Sequence, residues 1–316
     1  MGISQKDALD CFQSDDLIGI GMEADAVRRR LHPQGVVTYT IDGRIDYPPA
    51  ANGVNFDLIF DQISNIVALG GTGVTLRGEI TPEHTITWFA KLFRSIKDRF
   101  PEIWLHCLSA TEIVALAQRA GSTVKDTIAS LRDAGLNSIP GNDAAILDDD
   151  VQQQRTGRQA SEWIAVHRAA HQLGMQTTAT MTFGMGEAFE HRVSHLEAVR
   201  RLQDDTGGFT SFTPLTFAPN NAVTKGFEEA TAVEYLKTLA ISRMYLDNVE
   251  NVESNLETQG PKVLQVGLRF GGNDAGSVLL AKAADVASEE QVRRVIRDAG
   301  FKPVQRDTLY RTMFLN

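Results

Sequence analysis

Residues 36–78 read VVTYTIDGRIDYPPAANGVNFDLIFDQISNIVALGGTGVTLRG and contain the unit that decides the fold. The β-branched run VVTYTID (36–42) predicts a strand, FDLIFDQISNIVALGG (56–71) predicts a helix, and GVTLRG (73–78) predicts a second strand. A strand, a helix and a strand in this order are typical of a parallel sheet with helical crossovers. The loop between the first strand and the helix, RIDYPPAANGVNFD (44–57), offers no obvious reactive side chain.

The same alternation continues along the chain. Apolar and β-branched runs predict further strands at 103–109, 138–141, 177–184, 209–217 and 263–272, with a short strand expected around 250–256. Thr81-Pro82-Glu83 is typical of a helix N-terminus, and Ser109 with Glu112 forms a capping-box pattern. Seven or eight strands alternating with helices over about 250 residues predict an α/β protein with a (β/α)8 barrel. Residues 1–35 are then an N-terminal helical extension, and residues 36–316 form the barrel domain.

Composition excludes several classes of function. The chain has 316 residues, 42% of them hydrophobic, and can bury a large core. A net charge of −9 argues against a nucleic-acid partner, because binding to phosphates needs clustered Lys and Arg. The sequence has no apolar run of the ~20 residues that a membrane span needs, and its polar start does not resemble a signal peptide. We therefore expect no membrane span and a cytoplasmic location.

Barrels of this kind act at the carboxyl ends of their strands, which selects the candidate site residues. Glu79, Asp143 and Glu187 are the candidate catalytic groups, because a carboxylate in a pocket can act as an acid or a base. The candidate binding residues, which can approach or hydrogen-bond a polar nucleoside-like ligand, are Gly78, Ser109, Gly184, Gly186, Glu187, Thr213, Asn273 and Asp274. The alternative for any one of them is an ordinary cap or turn.

Histidine and cysteine patterns do not predict a metal site. His167 with His171, and His191 with His195, have the i,i+4 spacing of a metal-binding helix. Without a third ligand, exposed helix surface is the favoured interpretation of both pairs. Cys107 lies in the apolar run IWLHCLSA and is interpreted as a small buried hydrophobe, with alternation placing the neighbouring histidine on the opposite face of the strand.

Several longer runs resemble one known family. These runs include RFPEIWLHCLSATEI, LGMQTTATMTFGMGE, QDDTGGFTSFTPLTFAPNN, EYLKTLAISRMYLDNV and TQGPKVLQVGLRFGGNDAGS. They look like cyclic dehypoxanthinyl futalosine synthase, a radical S-adenosylmethionine enzyme of the futalosine route to menaquinone. The resemblance covers nearly the whole chain and implies a radical S-adenosylmethionine-type barrel with a nucleoside-binding wall.

The first loop departs from that family. There the strand equivalent to VVTYTID leads into a C-x-x-x-C-x-x-C loop whose three thiolates hold a 4Fe-4S cluster. Here Pro48-Pro49-Ala50-Ala51-Asn52-Gly53 stands in its place, and the loop is shorter by on the order of 18 residues. The two cysteines of the chain, Cys11 and Cys107, are far apart in sequence. The resemblance therefore implies that the 4Fe-4S cluster is not expected, while S-adenosylmethionine stays a candidate ligand.

Other positions of the family pattern have also changed. Its Gln-Gly-Gly reads Arg77-Gly78-Glu79 here, and its Gly-Gly-Gly-Ala-Glu reads GNDAA (141–145). Two hypotheses follow. In the first, the protein is a degenerate homologue that binds a nucleoside-like ligand, or that pairs with itself or with an active paralogue. In the second, it is a non-radical enzyme that uses strand-end carboxylates on a nucleoside-like substrate.

Overall fold

The fold is described from a computed structural model, which covers residues 2–47, 56–156, 159–217, 229–281 and 288–313. The Pro48–Asn55 stretch of the first loop lies outside these residues. The strands are β1 Val36–Thr40, β2 Gly43–Asp46, β3 Gly73–Arg77, β4 Trp104–Cys107, β5 Ser138–Ile139, β6 Gln176–Phe183, β7 Phe209–Thr216, β8 Asn251–Val252, β9 Asp274–Ser277 and β10 Lys302–Gln305. The helices are α1 Gln5–Gln13, α2 Leu17–Leu31, α3 Asp57–Ala68, α4 Ile86–Arg99, α5 Ala110–Ala120, α6 Val124–Asp133, α7 Asp149–Thr156, α8 Ala160–Gln172, α9 Phe189–Thr206, α10 Ala232–Tyr245, α11 Leu256–Gly267, α12 Val278–Ala281 and α13 Glu289–Asp298.

The strands close into an eight-position parallel barrel. β1 and β2 are the two halves of one extended segment: β1 pairs with β10 and β9, and β2 pairs with β3. From β2 the order continues through β3, β4, β5, β6 and β7 to β8. A parallel bridge between Glu253 and Asp274 then joins the β8 segment to β9 and closes the ring. The predicted (β/α)8 architecture is confirmed.

Alternation along the strands separates an apolar outer core from a polar interior. On β4, Leu105 and Cys107 are almost completely buried in the layer between barrel and helices, whereas Trp104 and His106 face the inside. The prediction that Cys107 is a buried small hydrophobe on the opposite face from His106 is thus confirmed. Burial raises the pKa of the Cys107 thiol, which keeps it in its unreactive neutral form.

The predicted strand at 263–272 is wrong. Residues 263–267 are the last part of α11, which begins after the N-cap Asn255 and contains a kink at Gly260 followed by Pro261, and residues 268–272 form the turn after it. Leu264 and Leu268 are fully buried, which is the i,i+4 spacing of one helix face. The strand of this unit is β9, at 274–277. The run VLQVGL misled the sequence analysis because a short apolar run does not distinguish a buried strand from a helix.

The helix after β3 begins later than predicted. Thr85, rather than Thr81, is the N-cap of α4, and its hydroxyl accepts a hydrogen bond from the Trp88 backbone N–H. Residues 81–84 form a turn held by the His84 imidazole, whose Nδ1 accepts from the Thr81 backbone N–H. The capping box of Ser109 and Glu112 at the start of α5 is confirmed.

The N-terminal helices pack on the outside of the barrel. α2 lies against α10, and α1 lies against α9 and α10. Arg28 of α2 is buried and donates to Asp25 at 2.7 Å, with its guanidinium over the Phe301 ring. Within the described ranges, no helix combines the length and the apolar character that crossing a bilayer requires.

Candidate functional site

A cavity of about 330 Å³ occupies the inside of the barrel. Eight threonines and four serines are among the residues around it: Thr40, Thr75, Thr177, Thr178, Thr180, Thr210, Thr213, Thr308, Ser109, Ser138, Ser211 and Ser277. Barrels of this class usually fill their interior with branched apolar side chains. Some of these hydroxyls are bonded to protein groups, as Thr308 is to Asp42, but one without a described partner, such as that of Thr40, can donate to and accept from a hydroxylated polar ligand.

A partly buried carboxyl group lies at the β8 and β9 side of this cavity. Glu253 lines the cavity, and its Oε1 accepts a hydrogen bond from Asn255 Nδ2 at 2.7 Å, whereas no residue that the structure describes donates a hydrogen bond to its other oxygen. Burial, together with the charge of Asp274, raises the pKa of Glu253 from its ordinary value of 4.5 to about 7. Close to neutral pH this group can therefore both give and take a proton.

Asp274 differs from Glu253 because its charge is compensated. Its two oxygens accept from Arg306 at 2.6 and 2.9 Å, and Thr38 donates to one of them at 2.5 Å. Arg306 lies after β10, and its guanidinium also covers the Tyr310 ring at 3.8 Å. The C-terminal segment thus supplies the cation that neutralises Asp274, and Thr308, Leu309 and Tyr310 complete this part of the wall.

A neutral histidine lies on the β4 side of the same wall. Ser138 Oγ is 2.6 Å from His106 Nδ1 and accepts the indole N–H of Trp104 at 2.7 Å. When Ser138 donates its hydroxyl proton to His106 Nδ1, the imidazole proton is on Nε2 and faces away from Ser138. Burial lowers the pKa of His106 to about 4, so the ring is neutral at physiological pH.

A hydrogen-bonded chain connects the ends of β2, β3 and β4. The Tyr47 hydroxyl lies 2.8 Å from both the Gly78 carbonyl oxygen and Glu112 Oε1. The Tyr47 hydroxyl is the donor in both contacts, and its single proton is shared between these two acceptors. Burial raises the pKa of Glu112 above its ordinary value, while the hydrogen bonds from Ser109 and Tyr47 act in the opposite direction. Ser109 donates its backbone N–H to the other oxygen of Glu112 at 2.7 Å.

The structure brings some of the predicted site residues to the cavity and leaves others away from it. Ser109 and Thr213 line the wall, as do Arg77 and Asn142. Glu79 and Asp143 are exposed and are not part of it. The remaining candidates, which also lie outside the wall, are Gly78, Gly184, Gly186, Glu187, Asn273 and Asp274. Their catalytic and binding roles stay predictions.

Two of these residues have clear structural tasks. The Glu187 carboxylate closes the turn after β6, accepting from the backbone N–H groups of Gly184 and Met185 at 2.9 Å each and from Arg192 Nε at 2.8 Å. These partners lower the pKa of Glu187. Asn273 belongs to a buried network in which its side-chain oxygen accepts from Arg243 at 2.8 Å. Both arrangements stabilise the fold without facing the cavity.

The histidine pairs are more buried than the sequence suggested. His167 and His195 are fully buried rather than exposed. His167 Nδ1 lies 2.9 Å from Thr177 Oγ1, and the second member of that pair, His171, has its Nε2 at 2.7 Å from the same hydroxyl. Among the described residues, no three His, Cys, Asp or Glu side chains are grouped as metal ligands.

Glu253, His106 and Thr40 are the cavity residues that the sequence analysis missed. Glu253 follows a strand of two residues, too short for alternation to show which way its side chain points. His106 carried a usable signal, since alternation within WLHC already opposed it to buried Cys107. A rule that selects only the residues ending each strand overlooks side chains inside a hollow barrel.

Comparison with known proteins identifies the family. The sequence is 32% identical to cyclic dehypoxanthine futalosine synthase of Halalkalibacterium halodurans, over 98% of this chain and 90% of that protein. This chain belongs to that radical S-adenosylmethionine family. A family model described as "CofH/MqnC C-terminal region" matches residues 206–315 of this chain.

Other members of this radical S-adenosylmethionine family have a different reaction in their names. The 5-amino-6-(D-ribitylamino)uracil–L-tyrosine 4-hydroxyphenyl transferase of Methanothermobacter thermautotrophicus is 38% identical over 83% of this chain and 77% of that protein. The fold is shared with methylornithine synthase (PylB), with a TM-score of 0.73 and 16% identity over 96% of this chain and 94% of that chain. The FeFe-hydrogenase maturase HydG of Carboxydothermus hydrogenoformans has a TM-score of 0.72 and 13% identity over 98% and 78% of the two chains.

Proposed function

We propose that this protein is a cluster-free member of the family that binds a small nucleoside-like ligand in the barrel cavity. The observation that carries the proposal is the hydroxyl-rich wall of the 330 Å³ cavity. Such a wall matches the hydroxyls of a pentose or pentitol, and the names of the relatives include a futalosine and a ribitylamino compound. The ligand of this chain is proposed to share that sugar or polyol part.

The cysteines support the cluster-free part of the proposal. A 4Fe-4S cluster in this family needs thiolates that converge on one pocket. Cys11 is on α1, which packs on α9 and α10, whereas Cys107 is buried on β4 between β3 and β5. These two thiols do not fit a common cluster. The alignments to two futalosine synthases also run over 335 and 338 positions, more than the 316 residues of this chain, so those relatives contain residues without a counterpart here.

The non-radical enzyme is a second candidate function, favoured by the Glu253 carboxyl. Its pKa of about 7 and its unpaired oxygen suit a group that transfers protons inside the cavity. His106 offers a neutral N–H in the same wall. In this proposal Glu253 takes the part that the sequence analysis gave to Glu79, Asp143 and Glu187. Pairing with itself or with an active paralogue, and the cytoplasmic location, remain predictions.

The test combines cluster reconstitution with ligand titration. The purified protein is incubated anaerobically with iron and sulfide, desalted and assayed for bound iron, and is then titrated calorimetrically with adenosine, S-adenosylmethionine and dehypoxanthine futalosine. We expect no stoichiometric iron and saturable binding of at least one nucleoside. The control is Thr213→Phe, which places a ring in the cavity and should abolish binding while circular dichroism is retained. Stoichiometric iron and sulfide would contradict the cluster-free proposal. Nucleoside binding that persists in Thr213→Phe would contradict the proposal that the ligand binds in the barrel cavity.

A further inference from the structure

The acidic and basic side chains of the cavity wall are not balanced. The wall contains four acidic residues, Asp42, Glu112, Glu253 and Glu257, and three arginines, Arg44, Arg77 and Arg306. Each arginine is already paired: Arg44 with Glu257 at 2.9 Å, Arg77 with the exposed Asp46 at 2.7 Å, and Arg306 with Asp274. Three of the four acidic groups of the wall therefore have no cationic partner within the described chain.

Two of these three acids are satisfied in other ways. Asp42 accepts hydrogen bonds from the backbone N–H groups of Thr72 and Gly73 and from the Thr308 hydroxyl, at 2.8 to 3.1 Å. Glu112 is held by Ser109 and Tyr47, as described above. Only Glu253 keeps an oxygen without a donor in the described structure.

The guanidinium of Arg306 offsets the negative charges around Glu253 only in part. β9 contributes Asp274 and the bare backbone of Gly276, where an added Cβ would lie 2.6 Å from Glu253 Oε1. The remaining charged or titratable neighbours are Arg306 and Tyr310 of the C-terminal segment, Glu257 of α11 and Tyr235 of α10. Arg306 is engaged in two hydrogen bonds to Asp274. An additional cation at Glu253 would thus have to come from outside the described chain.

An independent polar group of the same wall also lacks a partner in the described part of the chain. Thr40 is 5% exposed, and its hydroxyl has no hydrogen-bond partner in the part of the chain described here. Thr38, two residues earlier on β1, points inward to Asp274, so alternation places the Thr40 side chain on the interior face as well. The His106 imidazole, whose Nδ1 is 2.6 Å from Ser138 Oγ, lines the opposite arc of the same wall. Buried polar groups without partners require an explanation, and a bound polar ligand supplies one.

We propose that the cavity takes a small hydroxylated ligand with a positively charged nitrogen, and that Glu253 is the residue that binds this nitrogen. The inference rests on the proposed function, because it assumes that a nucleoside-like molecule enters the barrel. A cation beside Glu253 would replace the missing positive charge of the wall. The hydroxyls of the wall would hold the sugar or polyol, with the Nε2–H of His106 as an additional donor.

Binding of a cation to Glu253 is coupled to proton release. The free carboxyl is largely protonated below pH 7, because its pKa is about 7 in the ligand-free protein. A cation stabilises the ionised form, so the proton has to leave before the ion pair forms. Affinity for a cationic ligand should therefore weaken by about tenfold between pH 8 and pH 6, and affinity for a neutral analogue should not.

A matched set of nucleosides tests the inference. The probes are adenosine, 5′-amino-5′-deoxyadenosine and 3′-amino-3′-deoxyadenosine, which differ only in the exchange of a hydroxyl for an ammonium group. Each is titrated calorimetrically at pH 7.5 into wild type, Glu253→Gln and the control Glu250→Gln, which changes an exposed residue of the same segment. We expect at least one amino analogue to bind on the order of tenfold to a hundredfold more tightly than adenosine to wild type and Glu250→Gln. Glu253→Gln should remove that preference.

Each outcome separates the inference from the function on which it rests. If adenosine binds and neither amino analogue binds more tightly, the nucleoside-binding function stands and the cation inference is wrong. If the preference persists in Glu253→Gln, another residue binds the nitrogen. If no probe binds, the proposed function fails and the inference fails with it. The pH series on wild type gives a second measurement that does not depend on the folding of a variant, and a flat profile for the tighter amino analogue contradicts the role of Glu253.

Discussion

Replacing Glu253 by Gln is expected to stabilise the ligand-free protein at neutral pH and to have little effect near pH 4.5. Burial and the charge of Asp274 raise the pKa of this carboxyl from 4.5 to about 7 in the folded state. In the unfolded chain the group ionises at its ordinary pKa. Between pH 4.5 and pH 7 the folded protein therefore binds a proton that the unfolded chain has released. The favourable contribution of the protonated group is complete below pH 4.5 and is lost as pH rises through 7.

The size of the effect follows from the two pKa values. A rise from 4.5 to about 7 corresponds to roughly 3 kcal/mol of unfolding free energy lost above pH 7. Glutamine cannot ionise, but it has nearly the same shape, and its carbonyl oxygen can still accept the hydrogen bond from Asn255 Nδ2. The difference in unfolding free energy between Glu253→Gln and wild type should therefore increase by about 2 kcal/mol, in favour of the variant, as the pH is raised from 5 to 7.5.

Urea unfolding followed by circular dichroism measures this difference. Wild type, Glu253→Gln and the exposed control Glu250→Gln are unfolded at pH 5, 6, 7 and 8, and the free energies are compared at each pH. The gap between Glu253→Gln and wild type should widen with pH, while the gap for Glu250→Gln stays constant. A constant gap for Glu253→Gln would refute the raised pKa and with it the uncompensated state of this carboxyl.

Two further variants test the structural part of the description. Arg192→Ala should cost about 3 to 5 kcal/mol in urea unfolding, because it leaves the carboxylate of Glu187 buried without its cation, and adenosine affinity should be unchanged. Gly276→Ala should cost about 1 to 3 kcal/mol more in thermal denaturation than the control Gly121→Ala. Both glycines have positive φ, but only the new methyl at 276 collides with Glu253, whereas that at 121 enters open space. Equal losses of thermal stability in the two glycine variants would contradict the expected collision of the new methyl group at position 276 with Glu253.

The barrel was predictable because local signals and the global fold agree. Strands such as β3 and β6 are bounded by clear turns, and helices such as α5 begin with a capping box that is present in the structure. The failure at 263–272 has a local cause. The exposed Val266 between buried Leu264 and Leu268 reveals a helical period, but only once burial is known. The apolar residues of VLQVGL fit a buried strand as well as one face of a helix, and tertiary packing favours the helix.

The site was less predictable, because its key groups depend on which way short strands present their side chains. β8 has two residues, so the inward direction of Glu253 follows from its bridge to Asp274 and not from any pattern within the strand. The three carboxylates chosen from strand ends were sound candidates by position. Yet Glu79 and Asp143 project into solvent, and Glu187 is taken up by the turn that it closes. Position at a strand end does not show whether a side chain turns inward.

The difference between Glu187 and Glu253 indicates why the second is the better candidate for ligand binding. Both are glutamates near strand ends, but Glu187 has two backbone donors and Arg192, and its pKa is lowered. Glu253 has one amide donor, and its pKa is raised. A carboxylate with a built-in cation stabilises the fold, whereas one without it destabilises the fold at neutral pH by roughly 3 kcal/mol. Strongly perturbed carboxyls in a cleft are concentrated at functional sites, where a ligand offsets their cost. We therefore expect the ligand of this cavity to carry the positive charge that Glu253 lacks.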